Sequence, residues 1–322
     1  MADKAHKLTD EKLEQMERHL SAIYSRASKE IGKEWKRYLK EAGKEIKDLQ
    51  EEYDLAKKSG DKDEIRKAGK ALGQAKRERT IKNKRFKALS ERTAIEISKV
   101  NETALAYING ELPEVYVLGY NALADVVDGV GGYAFNLLDA NTVKNLALAD
   151  ESLLPYKKLD PAKDIPWNMK AINSEVLQGI VQGESIPDIS KRVFGEIMKT
   201  SKTEGLTDKE MGALLKRNKD AAIRSARTIV TGAENKGRMD SYKRAEADGI
   251  ILQKEWLSSD QPGRTRKWHM PEAFDSLIVD IDKPFHNAVG DIMFPGDPGA
   301  HPANVYNCRC SLGARVVGFK KI

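Results

Sequence analysis

The sequence of 322 residues is poor in cysteine and in long apolar runs. Its only two cysteines, Cys308 and Cys310, are too few for the disulfide framework of a small secreted protein. No run approaches the roughly 20 apolar residues that a membrane-spanning helix needs. The first residues, MADKAHKLTDEKLEQ, carry charges where a signal peptide has an apolar core. We therefore expect a chain that is made and kept in a reducing cytosol and has no membrane partner.

The chain also lacks a strong overall excess of charge, with 55 Lys and Arg against 49 Asp and Glu. The net charge of +6 is unevenly distributed, because residues 1–100 hold 27 basic and 19 acidic side chains. The densest basic stretch, KRERTIKNKRFK at positions 76–87, can face phosphates, although a solvated helix face is the default interpretation. Its candidate DNA-binding residues are Lys76, Arg77, Arg79, Lys82, Lys84, Arg85 and Lys87.

Proline is absent from residues 10–53, where apolar side chains recur at steps of three and four. This spacing predicts a long helix, and helical character resumes from Ile65 to about Tyr107 after a turn at Gly60. Two long helices joined by a short loop should form an antiparallel hairpin. We favour contact of its apolar stripe with another protein, over packing on the rest of the chain. The stripe consists of Ala27, Ile31, Trp35, Tyr38, Ala42, Ile46, Leu49 and Tyr53.

The middle of the chain contains a cluster of glycines and a segment with three prolines. VDGVGGYAF predicts a flexible link, and the three prolines of LLPYKKLDPAKDIPW predict an extended crossing segment. Short helices are expected over residues 173–180 and 186–198. From about Asp208 a longer helix should run to Asp248, with Gly249 as its C-cap. No catalytic pattern appears in this middle region.

Four segments rich in β-forming residues follow this helix: ILQKEWLSS, SLIVDI, GDIMF and CRCSLGARVVGF. They predict a small antiparallel sheet packed on the helix. The sequence therefore predicts an α+β fold in three parts. These are a long N-terminal helical hairpin arm over residues 1–109, a helical middle region over 110–205 and a small C-terminal α+β domain with an antiparallel sheet over 206–322.

Residues suited to a functional site gather in EWLSSDQPGRTRKWH and in HPANVYNCRC. In an extended segment, alternation places Cys308 and Cys310 on one face and Arg309 on the other. Two thiolates, the imidazole of His269 and one further ligand can form a tetrahedral zinc site. The candidates for the fourth ligand are His301, His286 and Asp260.

A metal site is only one interpretation of these cysteines. Structural zinc sites usually space their cysteines by two to four residues, and buried reduced cysteine is common and inert. We prefer a packed, hydrogen-bonded corner, with zinc as the alternative and redox chemistry as the third reading. Neither an HExxH motif nor a nucleophile elbow is present, and Asp260 with Arg266 can form a structural ion pair. We therefore expect that the chain is not an enzyme.

Three groups of residues follow one another over residues 205–318: a helix with Arg-Thr and then Gly-Arg, a W-x-x-x-D…R-x-R-x-x-H pattern, and a PGDP turn with an NCRC-x-L ending. In this order they resemble the head-morphogenesis domain of tailed bacteriophages, the family of phage Mu F-like minor head proteins. The residues that carry this resemblance, here called the signature residues, are Arg227, Thr228, Asn235, Gly237, Arg238, Trp256, Asp260, Arg264, Arg266, His269, Pro295, Asp297, Asn307, Cys308, Arg309, Cys310 and Leu312.

The resemblance implies a minor structural protein of the virion. Such a protein is present in few copies inside the capsid near the portal, after assembly in the host cytoplasm. Its expected roles are capsid assembly and DNA packaging or delivery, and its expected partners are the portal protein, other head proteins and packaged double-stranded DNA. Two alternatives stay open: a DNA-binding virion protein that uses residues 76–87, and a zinc-dependent hydrolase or nuclease.

Overall fold

The computed structural model describes residues 4–78, 84–130, 137–149, 160–181, 213–259 and 265–320. The fold is α+β, as predicted, with a long N-terminal helix and a small C-terminal antiparallel sheet. The α-helices are α1 (Lys4–Ser59), α2 (Lys62–Glu78), α3 (Lys84–Asp128), α4 (Ala140–Ala149), α5 (Pro161–Val181), α6 (Ala213–Ala247) and α7 (Pro302–Val305). The strands are β1 (Ile250–Leu257), β2 (Ile278–Asp280), β3 (Phe285–Asn287), β4 (Gly290–Ile292) and β5 (Ser311–Phe319).

Strand β1 is the centre of a three-stranded sheet, with β2 on one side and β5 on the other, both antiparallel to it. Its side chains alternate, so that Ile250, Leu252, Lys254 and Trp256 are buried while their neighbours are exposed or half-buried. This period of two is what a strand with one core face requires. Strands β3 and β4 form a separate hairpin. Four of these five strands lie in the predicted β-rich segments.

The described chain divides into two compact units that are discontinuous in sequence. The first, here called the site unit, combines Met1–His19, Leu105–Lys158 and Ala221–Ile322. The second, here called the hairpin unit, combines Leu20–Ala104 and Leu159–Asp220. The division into successive segments at residues 109 and 205 stays a prediction.

In the hairpin unit, α1 and α3 pair as the predicted antiparallel helices. Trp35 packs edge-on against Phe86 with ring centroids 5.6 Å apart, and its Nε1 donates to Thr93 Oγ1 at 2.8 Å. Further along the pair, the Tyr24 hydroxyl donates to Asn101 Oδ1 at 2.7 Å. The apolar stripe is therefore buried within the chain at Trp35. The expectation that this part of the stripe meets another protein is wrong, because α3 already covers it.

Helix α3 runs on to Asp128, well past its predicted end near Tyr107, and contains Pro113. A proline inside a helix costs about 3 kcal/mol because it removes a hydrogen bond and crowds the preceding turn. Here Leu112, Val115 and Tyr116 are all buried around it. Burial of this apolar face offsets the cost of the proline. A prediction from local helix propensity does not include this burial, so it ends the helix too early.

The predicted extended segment around residues 153–167 is helical from Pro161 onward. Asp160 caps this helix, since its Oδ1 accepts from the amide of Ala162 at 3.1 Å. Pro161 occupies the first helical position, where its missing N–H is not needed. The predicted helix over residues 173–180 lies within α5, whereas the one over 186–198 and the glycines at 131–132 lie outside the described residues.

The core of the site unit lies between the sheet, α6 and the last turns of α3. It contains the aromatic side chains of Tyr242, Trp256, Phe274 and Phe285, all buried. Helices α3 and α6 approach closely at a glycine on each, Gly119 and Gly237. A Cβ added at Gly119 would lie 2.0 Å from the Glu234 carbonyl oxygen. Only glycine permits this contact between two helix backbones.

Candidate metal centre

The imidazole of His269 lies beside both thiols of residues 307–312, here called the closing segment. Its Nδ1 is 3.5 Å from Cys308 Sγ and 3.8 Å from Cys310 Sγ. The three ligand atoms lie within 4.8 Å of one another, and all three side chains are buried. This confirms that the tail folds back to meet the histidine. Both sulfurs point inward while Arg309 points away to Asp10, as alternation along an extended segment predicts.

His269 is held by the backbone around it. It ends a short 3₁₀ helix, Lys267–His269, and its carbonyl accepts from Ser258 Oγ at 2.6 Å. The imidazole packs against the Trp256 ring at a centroid distance of 5.2 Å. The ring orientation is thus set by the end of β1 and by the core, before any ion is bound.

Two buried asparagines fix the tautomer of this imidazole. Asn304 Oδ1 lies 3.3 Å from His269 Nε2 and also accepts from Asn287 Nδ2 at 3.2 Å. Asn287 Nδ2 in turn donates to the Trp268 carbonyl at 3.1 Å. Because Asn304 Oδ1 is an acceptor, His269 Nε2 carries the proton and Nδ1 presents its lone pair to the sulfurs. In most metal-bound histidines the ring nitrogen that does not bind the metal donates its hydrogen to an acceptor in this way.

Helix α6 clamps the closing segment through polar side chains that bond to its backbone. Thr228 Oγ1 accepts from the amide of Asn307 at 2.8 Å, and Thr231 Oγ1 donates to the Cys308 carbonyl at 2.6 Å. Asn235 Oδ1 then accepts from the amide of Leu312 at 2.7 Å. Two further donors, Arg238 and Tyr242, both reach the Leu312 carbonyl. These residues recur at helical spacing, so one face of α6 fixes the position of both thiols.

The two thiols differ in acidity. The pKa of Cys308 is lowered because the Cys310 thiol donates a hydrogen bond to it, which outweighs the effect of burial; the positive charge of Arg266 acts in the same direction. The pKa of Cys310 is raised well above its usual value because it is the donor of that bond and is buried. Cys308 is thus the sulfur that ionises first.

The distances fit a tetrahedral ion. Bonds of about 2.3 Å to sulfur and 2.0 Å to nitrogen place tetrahedral ligand atoms roughly 3.5–3.8 Å apart. The nitrogen–sulfur edge is the shorter one, about 3.5 Å, and the observed Nδ1–Sγ distances of 3.5 and 3.8 Å lie at this value and slightly above it. Among the residues that the structure describes, the cluster has three members, and neither His286 nor His301 belongs to it. His286 bonds to Asp291, and His301 caps α7. Asp260 lies outside the described residues.

A polar cavity of about 450 Å³ adjoins the cluster. Its walls come from the start of α1, from α6, from the segment before His269 and from the closing segment. The lining residues are Glu14, Glu17, Arg227, Ser259, Thr265, Arg266, His269, Asn307, Cys308, Arg309 and Cys310. All three possible metal ligands are among them, so an ion held by these three would border the cavity.

Seven of the described signature residues line this cavity. Arg227 lines the cavity and pairs with Glu17 through two hydrogen bonds of 2.6 and 2.9 Å. The PGDP turn lies elsewhere: the two carboxylate oxygens of Asp297 accept from the amides of Met293 and Gly299, and neither Pro295 nor Asp297 lines the cavity. Arg264, like Asp260, lies outside the described residues.

Most side chains of the basic stretch at positions 76–87 lie outside what the structure describes. Arg79 and Lys82 are not described, and of the other five only the side chain of Lys87 is described and is exposed. The DNA-binding hypothesis for these residues therefore stays a prediction. No helix in the described ranges is long and apolar enough to cross a membrane.

Sequence reasoning missed several residues that support the site. Asn287 and Asn304 were overlooked because single asparagines in short elements carry no periodic signal. Thr231 and Tyr242 could have been found, since they continue a polar stripe through Asn235 along α6. In comparisons with known proteins, the chain matches no family model, no curated protein and no solved structure.

Proposed function

We propose that this chain is a minor head protein of a tailed bacteriophage that associates with the portal inside the head and acts in head assembly, DNA packaging or delivery. The support is the resemblance of the C-terminal part together with one structural observation. Residues that carry the resemblance, drawn from α6, from the segment between β1 and β2 and from the closing segment, gather around a single cavity. Scattered motif residues that matched by chance would have no reason to share one site.

The contacts of the signature arginines suggest how this domain acts. Arg227 binds Glu17 and Arg309 binds Asp10, both on the first turns of α1. His6, one turn earlier, binds Glu234 of α6. The signature domain therefore holds the beginning of the long N-terminal helix. A domain that anchors a long helix suits an assembly role, in which geometry rather than turnover matters.

We further propose that the ion of the His269–Cys308–Cys310 cluster is zinc. Two sulfur ligands and one imidazole favour zinc over the hard cations magnesium and calcium, which prefer oxygen. The ion would link the segment before β2 to the segment before β5, and so stabilise the part of the domain that carries the signature. Its role in this proposal is structural, in keeping with the expectation that the chain is not an enzyme.

Particle incorporation tests the proposed function. A phage that lacks the gene is complemented with the wild-type chain, with H269N or with H286N, and DNA-filled heads are purified and probed with an antibody. We expect few copies of the wild-type chain per head relative to the major capsid protein. H269N should be lost from particles, while H286N, which changes an exposed histidine away from the cluster, should be retained. Heads that assemble normally and contain no wild-type chain would contradict the proposal.

A further inference from the structure

We propose that the cavity beside the metal centre binds a phosphate-type oxyanion, with one oxygen on the remaining coordination position of the metal and another on Arg266. This inference rests on the proposed metal site and goes beyond its structural role. It assigns a ligand class to a cavity that the assembly proposal leaves without a use.

The position of the cluster supports an exchangeable ligand. His269, Cys308 and Cys310 supply three ligands, and a tetrahedral zinc ion needs a fourth. The same three side chains line the cavity, so the fourth position of an ion between them faces that space. The volume of about 450 Å³ lies within the range of ordinary small-molecule sites and exceeds what one water molecule needs.

The charges in the cavity single out one arginine. Arg227 is bound to Glu17 and Arg309 to Asp10, so their charges are already compensated. Arg266 makes no side-chain hydrogen bond or ion pair with any other described residue. A half-buried guanidinium that lines the same cavity as the cluster, and whose donors have no partner among the described side chains, is suited to bind two oxygens of a phosphate group.

The remaining acidic side chain of the wall does not oppose this assignment. Glu14 is 69% exposed and lies 3.9 Å from Arg18, which offsets its charge at the solvent side. Ser259, Thr265 and Asn307 complete the lining with polar groups. The ligand class that fits is therefore a phosphate, free or carried as a monoester on a larger molecule that fills the rest of the cavity.

Cobalt(II) in place of zinc makes the coordination visible. The full chain is loaded with one cobalt ion and titrated with inorganic phosphate while the visible absorption is recorded. We expect the ligand-field bands to shift with saturation, while the thiolate-to-cobalt charge-transfer bands persist because both sulfurs stay bound. R266Q should weaken the apparent affinity on the order of tenfold, the size expected for a charge-assisted hydrogen bond. R315Q, which changes an arginine on β5 that pairs with Glu255, should bind phosphate like the wild type.

A second pair of titrations separates the sources of the phosphate. A nucleoside monophosphate that shifts the bands at lower concentration than inorganic phosphate, while its nucleoside has no effect, would identify a carried monoester. Equal affinities would identify free phosphate. Both results support the proposal.

Other outcomes overturn it. If cobalt binds with its charge-transfer bands but phosphate shifts nothing, or if R266Q binds phosphate as tightly as the wild type, this inference fails and the metal site stands. If D260N alters the phosphate-free spectrum and phosphate has no effect, a protein carboxylate fills the fourth position, and the inference fails in the same way. Failure to bind cobalt at all would overturn the metal site as well. Particle incorporation is measured separately and is decided by none of these results.

Discussion

His6 Nδ1 lies 3.0 and 2.9 Å from the two carboxylate oxygens of Glu234, so the first turn of α1 binds the middle of α6. Arg238 bonds to the same carboxylate at 2.9 Å, and Glu234 and Arg238 are almost completely buried. Burial lowers the pKa of His6, but the hydrogen bond and the negative charge of Glu234 outweigh it, and the nearby Asp10 adds to them, so that the pKa is raised overall. The folded chain therefore favours the imidazolium of His6 more than the unfolded chain does.

The first prediction concerns the pH dependence of this pair. A raised pKa in the folded state stabilises the fold fully below the unfolded value of 6.5, and this contribution is lost as the pH rises through the folded pKa. We expect H6Q to lower the free energy of unfolding by about 2 kcal/mol at acid pH. The difference in free energy of unfolding between H6Q and the wild type should become smaller toward alkaline pH. Urea unfolding of both proteins at two pH values measures the difference.

His286 provides the matched control for this measurement. It also pairs with a carboxylate, Asp291 at 2.7 Å, but the two side chains are 57% and 66% exposed, against 10% and 1% for His6 and Glu234. Exposed pairs contribute little, so H286Q should leave the unfolding free energy nearly unchanged at both pH values. A pH-independent effect of H6Q would show that the charge of His6 is not what stabilises the contact.

The second prediction concerns the crossing of α3 and α6. An added Cβ at Gly119 would meet the Glu234 carbonyl oxygen at 2.0 Å, which forces the helices apart. We expect G119A to lower the free energy of unfolding by about 3 kcal/mol. Gly110 lies on the same helix with nothing within 4 Å of its added Cβ. G110A should be neutral or stabilise by up to about 1 kcal/mol, through helix propensity alone. Similar melting temperatures for both variants would contradict this crossing geometry.

The third prediction concerns the buried lysine of β1. Lys254 Nζ donates to the Met293 carbonyl at 2.8 Å and lies 5.2 Å from the centre of the Phe285 ring. Burial lowers the pKa of Lys254 from 10.5 to about 8, although Asp297 and Asp282 act in the opposite direction. Between these two values the unfolded chain binds more protons, so stability should rise with pH by roughly 3 kcal/mol.

Chemical denaturation of K254M across that pH range tests this account. The stability of the variant should not increase with pH over this range, because it has no titrating amine at the buried position. K283M removes an exposed lysine beside Asp282 and should keep the wild-type slope. An unchanged slope in K254M would assign the pH dependence to other groups.

The fourth prediction concerns the acceptor behind the imidazole. Asn304 holds His269 Nε2–H and so directs Nδ1 toward the sulfurs. We expect N304A to weaken zinc binding by about 10- to 100-fold, measured by competition with a chromophoric chelator, while the chain still folds. Tyr306 comes directly after this short helix and has an exposed side chain, so Y306A should bind zinc like the wild type. If N304A bound zinc as tightly as the wild type, Asn304 would not contribute to the metal site.

Local patterns in the sequence were sufficient to predict the main elements. Apolar side chains recur every two residues in a strand with one buried face and every three or four residues in a helix. The first spacing predicted β1 and the second predicted α1, and both elements are present in the structure. The end of α3 was not predictable in this way, because the burial of Tyr116 and its neighbours outweighs the cost of Pro113. Strand β3 has only three residues, too few to show a period.

The possible metal ligands of the candidate site were predictable from the sequence, but the residues and contacts that hold them in place were not. The two thiols and His269 were brought together from residue type alone, and the structure confirms that they meet. The binding of α1 to this unit was not foreseen, since ion pairs such as Asp10–Arg309 join residues almost three hundred positions apart and leave no local signal. The cavity, and the absence of a described partner for Arg266 within it, follow only from the packed arrangement of four segments.

The zinc content of the chain tests the central claim most directly. The full chain is purified under reducing conditions without added metal or chelator, and zinc and protein are quantified in the same sample. The His269–Cys308–Cys310 centre predicts close to one zinc per wild-type chain. It predicts almost none in a C308S/C310S variant whose circular dichroism retains the helical signal of the wild type. A folded wild-type chain without stoichiometric metal, even after incubation with zinc, would contradict the account.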